Sequence, residues 1–221
     1  MRSHPRPRLF PFSQIAFAIV ALAGAHTAVC ADRPQHPPMT AEQLAPYLPD
    51  GAQIETRLDA DFTGDGLRDL AVVAATDEVR VLKVMIGYAD DTSMGFDPVG
   101  EMKMGGSPLG AASLSVKKGV LLVEDLDGGT TAIQSLYRFR FDPKQTKMRL
   151  IGDDVTLYSR TNAHDSTSIS TNRLTGAQVV KRRVVGEAGY TDQPEQKKKV
   201  GTAPIWMEDA PLPEDTLDFG D

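Results

Sequence analysis

Hydrophobic and polar positions alternate along short segments of this chain, and a period of two indicates β-strands. Residues 70–75 are continuously apolar instead, which is typical of a buried strand. Turns rich in Gly, Asp or Pro separate the segments, and almost no segment has the period of a helix. The predicted strands are residues 54–58, 70–76, 79–86, 97–104, 111–116, 120–126, 130–141, 147–151, 155–160, 166–174 and 177–185. Residues 200–207 are predicted to return and either pair with a sheet or plug its end. The pattern predicts an all-β fold with antiparallel sheets.

One short helix is predicted in front of the strands. Thr40 is a favourable N-cap residue, and Pro46 or Pro49 would end the helix that follows it. The residues before Thr40 are rich in Pro, so residues 32–53 are interpreted as a linker and a short helix. Residues 54–207 then form a single β domain.

Three segments late in the chain depart from simple alternation. Residues 152–154 (Gly-Asp-Asp) divide one apolar segment in two and indicate a bulge. The pattern fades over residues 186–196. Residues 208–221 are acidic and rich in Pro, and they are predicted to form a mobile tail.

The first 31 residues have the layout of a secretory signal peptide. Three Arg among the first eight residues precede an apolar run at residues 15–25, which is too short to span a bilayer as a helix. Small residues around Cys30 predict cleavage after Ala31 and export to the periplasm. Lipidation at Cys30 is the alternative, although the residues before it lack the usual Leu and adjacent small residue; the protein would contact a membrane only in that case.

Charge and cysteine content indicate which ligands the exported domain is not expected to bind and what stabilises it. Removal of residues 1–31 would take away three Arg and no acid, so the formal charge would fall from −6 to −9 over the remaining 190 residues. An acidic domain of this kind is not expected to bind nucleic acid, whose phosphates require a basic face. The one Cys would also be lost, so the exported domain would be held by its core and by any bound ion.

The loop between the first two predicted strands carries the most specific chemistry. Its oxygen-bearing side chains, at relative positions 1, 3, 5 and 9, are Asp61, Thr63, Asp65 and Asp69. Converging carboxylates repel one another unless a cation lies among them, and oxygen donors without His or Cys suit Ca²⁺. Leu67 at position 7 would add its backbone carbonyl. We call residues 61–69 the acidic loop; the alternative is an Asp- and Gly-rich hairpin loop without a metal.

The order D-x-T-G-D-G-x-x-D-L-A-V-V resembles the FG-GAP repeat of integrin-type β-propellers. It is not an EF-hand loop, because Val72 occupies the position of the bidentate Glu and a strand follows directly. The resemblance implies a calcium site and propeller-like sheets. No second complete loop of this kind is present, and a full propeller needs more residues, so a partial propeller-like assembly is predicted.

A second loop attracts interest because it is the most glycine-rich of the mature chain. It consists of Gly105, Gly106, Ser107, Pro108, Leu109 and Gly110, and we call it the glycine loop. Binding loops are commonly placed on rigid β scaffolds. The glycine loop is therefore interpreted as an element that enters a partner's cleft, with an ordinary connection between strands as the alternative.

These two loops, the export signal, residues 137–141 (Tyr-Arg-Phe-Arg-Phe) and residues 170–176 (Ser-Thr-Asn-Arg-Leu-Thr-Gly) are together similar to one group of bacterial periplasmic proteins. That group includes an immunity protein against a lysozyme-like effector of the bacteria-killing type IV secretion system. The resemblance implies a calcium-binding, non-enzymatic inhibitor whose partner is a secreted peptidoglycan hydrolase. One departure is the absence of an aromatic residue from the glycine loop, which has Leu109.

No catalytic constellation is found in the sequence. Only His36 and His164 would remain after export, so neither zinc binding nor a Ser-His-Asp arrangement at residues 164–166 is expected. The pairs Asp153-Asp154 and Glu124-Asp125 are interpreted as turn or strand-edge pairs on an acidic surface, and residues 197–199 (Lys-Lys-Lys) as a solvated face. The predicted function is inhibition by protein–protein contact; the alternative is a calcium-dependent adhesion or assembly module of FG-GAP type.

Overall fold

The computed structural model describes residues 37–217. The predicted signal peptide, residues 32–36 of the predicted linker and residues 218–221 lie outside this range. Residues 37–217 are mostly β-strand, and the strands belong to two antiparallel sheets of different size. The predicted all-β antiparallel class is therefore confirmed.

The smaller sheet has four strands in chain order. They are β1 (Gln53–Ala60), β2 (Asp69–Ala75), β3 (Arg80–Ala89) and β4 (Met94–Lys103). A four-stranded antiparallel meander has the strand number of one propeller blade.

The larger sheet has nine strands. They are β5 (Ser113–Lys117), β6 (Val120–Gly128), β7 (Thr131–Asp142), β8 (Lys147–Ser159), β9 (Ser166–Asn172), β10 (Ala177–Gly186), β11 (Gly189–Asp192), β12 (Gln196–Lys199) and β13 (Ile205–Trp206). Strands β5 to β11 pair in chain order, β12 also pairs with β10, and β13 pairs with β8.

The predicted N-terminal helix is present as α1 (Ala41–Leu44), and a 3-10 helix, Ala45–Tyr47, follows it. Thr40 caps the N-terminus of α1. The Gln43 amide donates to the Thr40 hydroxyl at 3.2 Å, and the Thr40 amide donates to the Gln43 side chain at 2.9 Å. Within residues 37–217, no helix is long and apolar enough to cross a bilayer.

The main core lies between the two sheets. Ala71, Val73 and Leu82 of the small sheet and Val123 and Phe139 of the large sheet belong to one buried cluster. The opposite face of β2 is covered by the N-terminal segment in a second cluster that joins Leu70, Val72 and Leu44. Strand β2 is thus buried on both faces, as its continuous apolar run predicted. Each fully buried aliphatic or aromatic side chain of this kind contributes about 1.5–3 kcal/mol.

Two strand predictions differ from the structure. Residues 147–159 form one continuous strand rather than two pieces, and the bulge falls at Ile151, because Gly152 pairs with Arg138 while Leu150 pairs with Phe139. Residues 189–199, where the pattern fades, form β11 and β12 on the outer side of β10. Both are exposed, so neither needs alternation, and the Lys side chains of β12 protect this sheet edge from pairing with another chain.

The described part of the predicted tail is packed. A 3-10 helix, Met207–Asp209, and the helix α2 (Pro213–Leu217) follow β13. Met207 is fully buried in the main core, and Leu217 packs on the large sheet beside Val155 and Ile169. These apolar residues hold an otherwise acidic segment against the domain.

Candidate functional site

The acidic loop connects β1 to β2, and the carboxylate of Asp61 organises it. One oxygen of Asp61 accepts from the Gly64 amide at 2.6 Å, and the other accepts from the Gly66 amide at 2.9 Å. Both glycines have φ near +80° to +90°, which residues with a side chain adopt at a cost. Partial burial raises the pKa of Asp61, but these hydrogen bonds outweigh it and leave the pKa below its ordinary value.

Asp69 anchors the same loop from inside. It is fully buried at the start of β2, and one oxygen accepts from the amides of Phe62 (2.5 Å) and Thr63 (3.2 Å). Its other oxygen accepts from the Gly87 amide of β3 at 3.0 Å. Burial raises the pKa of Asp69 to about 6, although the three amides act in the opposite direction.

Phe62 fixes the loop to the core, because its side chain is buried in the cluster between the sheets. Gly87 permits the approach of β3, since a Cβ there would lie 2.4 Å from the Arg68 carbonyl oxygen. The acidic loop is therefore held at its ends while Asp61 and Asp65 remain exposed.

The donor set suits calcium in kind. Asp61, Thr63 and Asp65 offer hard oxygen atoms, and the Leu67 amide donates to Asp65 at 2.8 Å, which curls the second half of the loop. Three hydrogen bonds to Asp69 leave one of the roughly four acceptor positions of its carboxylate. Across residues 37–217, however, no three Asp, Glu, His or Cys side chains stand together as a metal-binding group.

The glycine loop lies between β4 and β5 and is attached to β6. The Leu109 amide donates to the Leu126 carbonyl at 2.8 Å, and the Gly128 amide donates to the Ser107 carbonyl at 3.0 Å. A Cβ at Gly105 would lie 1.5 Å from an Asp127 carboxylate oxygen, so a larger residue there would displace the Asp127 side chain.

The middle of the glycine loop is nevertheless accessible. Gly106, Ser107 and Pro108 are exposed, whereas Leu109 is half-buried. The loop thus combines a fixed backbone with an exposed tip. The structure brings the six residues together as one surface element, at a different place from the acidic loop.

A buried ionic cluster holds both ends of the glycine loop. The Arg80 guanidinium donates to both oxygens of Glu55, each at 2.7 Å, and to both oxygens of Asp125 at 2.7 and 2.9 Å. It also reaches the Gly105 carbonyl at 3.4 Å. Glu55 in turn accepts from the Ala112 amide at 2.6 Å. The cluster joins β1, β3 and β6 and thereby connects the two sheets.

The charges within this cluster support one another. Burial raises the pKa of Glu55, but the Arg80 side chain and the Ala112 amide outweigh it and hold the pKa below its ordinary value. Burial lowers the pKa of Arg80, but the carboxylates of Glu55 and Asp125 outweigh it and hold the pKa above its ordinary value. Glu55 and Arg80 are therefore both charged at neutral pH.

Sequence reasoning missed this cluster, although a signal was available. Asp125 shares the inward face of β6 with Leu121 and Val123, and an acid on an inward face requires a partner. Arg80 begins a largely apolar strand, but its distance of 25 residues from Glu55 and 45 from Asp125 gives no local indication of the pairing.

The two acidic pairs of the sequence, Asp153-Asp154 and Glu124-Asp125, lie within strands and not in turns. Asp153 and Asp154 lie inside β8 on opposite faces, where Arg173 binds Asp153 at 2.5 and 2.9 Å and Arg138 binds Asp154 at 2.5 Å. The interpretation as surface turn or strand-edge pairs is wrong for these two residues and for the buried Asp125.

Asp165 belongs to the segment 164–166 that was considered for a Ser-His-Asp arrangement. One of its carboxylate oxygens accepts from the Val185 amide at 2.8 Å and is therefore directed to the backbone of β10.

Comparisons of the chain with protein-family models, curated proteins and solved structures find no match.

Proposed function

We propose that this protein is an exported calcium-binding inhibitor that contacts a lysozyme-like peptidoglycan hydrolase through its glycine loop. The observation that supports this most is the combination of an exposed tip at residues 106–108 with a backbone held by β6, Arg80 and Glu55. A loop that is already ordered loses little conformational entropy when it enters a cleft.

The tip of the glycine loop is small and uncharged. Gly106, Ser107 and Pro108 add little bulk, so the backbone itself can approach the groups that line a narrow cleft. Leu109 is half-buried, so the contact depends on shape and backbone hydrogen bonds rather than on an aromatic ring.

Calcium has a supporting role in this proposal. Asp61, Thr63, Asp65, the Leu67 carbonyl and the remaining acceptor position of Asp69 would hold the ion, whose charge offsets that of the three carboxylates. For a dissociation constant of roughly 0.1–1 mM, millimolar calcium would stabilise the fold by about 0.4–1.4 kcal/mol.

The decisive experiment measures clearing of a peptidoglycan suspension by any secreted cell-wall hydrolase that proves to be encoded beside this protein. Wild-type protein should inhibit at near-stoichiometric ratio. Ser107→Arg should weaken inhibition at least about tenfold, because a long charged side chain then occupies the tip. Ser93→Arg, in the exposed turn between β3 and β4, is the matched control and should inhibit as wild type does. Absence of inhibition, or equal inhibition by both variants, would contradict the proposal.

A calcium-dependent adhesion or assembly module is the second candidate, and the exposure of Asp61 and Asp65 favours it. It predicts binding to a surface partner that EDTA abolishes, without any effect on hydrolase activity.

A further inference from the structure

The outer face of the large sheet carries a groove that neither loop explains. Two adjoining cavities of about 560 and 700 Å³ lie on it, and both are lined by Thr156, Ser168, Lys181 and Glu195. Because they share these residues, the cavities form one continuous depression, which we call the sheet groove. Each cavity is within the size range of small-molecule sites.

Strand register explains the shape of the sheet groove. Thr156 pairs with Ser168, and Ser168 pairs with Lys181, so these side chains form a row across β8, β9 and β10. Along β8 the groove runs from Ser159 to Asp154, which corresponds to roughly 16 Å. Residues 190–197, beyond the edge of β10, form the wall on one side.

The lining is rich in hydroxyl groups. They belong to Ser135, Thr156, Tyr158, Ser159, Ser166, Ser168, Ser170 and Tyr190. The hydroxyls of Thr156 and Ser168 are 3.0 Å apart and bond to each other, and Ser170 donates to Asp154 at 2.6 Å. The aliphatic side chains in the lining are Leu136 and Val179, at one end, while the carbon atoms of the other side chains contribute apolar surface along the whole groove.

Basic and acidic side chains line the groove in similar number. The basic ones are Lys181, Arg182, Arg183 and Lys197, and the acidic ones are Asp154, Asp192 and Glu195. Lys181 lies 2.9 Å from Glu195, and Arg183 lies 3.1 Å from Asp192. Each pair presents hydrogen-bond donors and acceptors side by side without a strong net field. A polyanion would need a groove of one positive sign, so this arrangement does not favour one.

One end of the groove also offers aromatic surface. Tyr190 is 46% exposed, and the Arg183 guanidinium lies 4.9 Å from the centre of its ring. Tyr158 lines the same cavity. A tyrosine ring combines an apolar face with a polar hydroxyl, which suits a ligand that has both C–H and O–H groups on each unit.

We propose that the sheet groove binds a short, uncharged oligosaccharide. Each sugar hydroxyl both donates and accepts a hydrogen bond, as the paired charges and the hydroxyl row require, and the C–H face of a sugar ring can pack on Tyr190. The length of the groove accommodates several linked rings rather than one. This site is separate from the acidic and glycine loops, and the proposal does not depend on hydrolase inhibition.

The test uses two soluble probes, the tetramer of β-1,4-linked N-acetylglucosamine and the tetramer of β-1,4-linked glucose. Binding to the full exported chain is measured by calorimetry and by saturation-transfer NMR. At least one probe should bind to wild type. Ser168→Trp, which fills the floor shared by both cavities, should weaken binding at least about tenfold. Ser115→Trp, at an exposed position on β5 of the same sheet, should not change it.

A second pair of variants protects the test against misfolding of Ser168→Trp. Tyr190→Ala removes an exposed ring and should weaken binding several-fold, whereas Tyr88→Ala, which removes an exposed ring from the small sheet, should leave it unchanged. The proposal is overturned if neither probe binds at millimolar concentration, or if Ser168→Trp and Tyr190→Ala both bind as wild type does. Ser107→Arg should retain oligosaccharide binding, so the two proposals can fail separately.

Discussion

Replacement of Arg80 by Ala is the most severe single test of the fold. The Arg80 side chain is 3% exposed, and its partners Glu55 and Asp125 are 17% and 8% exposed. The change would leave two largely desolvated carboxylates facing each other without a cation. Removal of one partner from a buried ion pair costs about 3–5 kcal/mol, which is a large fraction of the stability of an ordinary domain.

Arg183→Ala is the matched control. Arg183 also binds a carboxylate, but the side chains of Arg183 and Asp192 are 56% and 81% exposed. Solvent screens such a pair, so its loss should cost about 1 kcal/mol or less. The two variants remove the same side chain and differ chiefly in the desolvation of the partners left behind.

Urea unfolding followed by the fluorescence of Trp206, the one Trp, gives both free energies. Hydrogen exchange supplies a local readout, because the Ala112 amide, which donates to Glu55 at 2.6 Å, should lose protection in Arg80→Ala. Arg80→Lys should fall between wild type and Arg80→Ala, since an ammonium group cannot bind two carboxylates in bidentate fashion. Equal destabilisation by Arg80→Ala and Arg183→Ala would refute the reasoning.

Two further predictions concern the acidic loop. Asp65→Ala should weaken calcium binding measured by calorimetry and lower the melting temperature only when calcium is present; a wild type without any calcium-linked shift would contradict the site. Asp69 has a pKa of about 6 in the fold and about 3.9 in an unfolded chain, so the fold binds its proton more tightly. That contribution to stability is complete below about pH 4 and is lost as the pH rises through about 6. In EDTA, the free energy of unfolding of wild type should therefore fall by roughly 1–3 kcal/mol more than that of Asp69→Asn between about pH 4 and about pH 7.5. Urea titrations measure both free energies. A difference between the two proteins that does not change with pH would exclude this effect.

Alternation was sufficient to predict strands such as β6 and β7, because one face of each is buried between the sheets. The inward positions of β6 and β7, for example Val123 and Phe139, are fully buried, and their neighbours along the strand are not. The Thr40 cap was equally predictable, since capping depends on residues three apart in sequence.

Features that depend on distant residues or on sheet edges were not predictable in this way. Strands β11 and β12 are exposed on both faces, so no burial pattern marks them, and they form because β10 offers an unpaired edge. The sheet groove likewise arises from the register of β8, β9 and β10. The role of Asp69 as an anchor depends on β3, because one of its oxygens accepts from the Gly87 amide.

The positions of the two loops separate their proposed roles. The acidic loop follows the end of β1, whereas Glu55, which fixes the glycine loop, lies near the start of that strand. Six residues of extended strand place Glu55 and Asp61 roughly 20 Å apart. A calcium ion at the acidic loop would therefore have no direct contact with the glycine loop.

Removal of calcium by EDTA should accordingly lower the melting temperature but leave hydrolase inhibition within about twofold of its value in calcium, provided that the assay is run well below the melting temperature. The physical reason is that Arg80, Glu55 and Asp125 hold the glycine loop independently of the ion. The measurement is the inhibition constant in calcium and in EDTA, with Ser107→Arg as the reference for a damaged loop. Loss of inhibition in EDTA at a temperature where the protein remains folded would show that the ion acts directly in the contact, and would favour the calcium-dependent binding module instead.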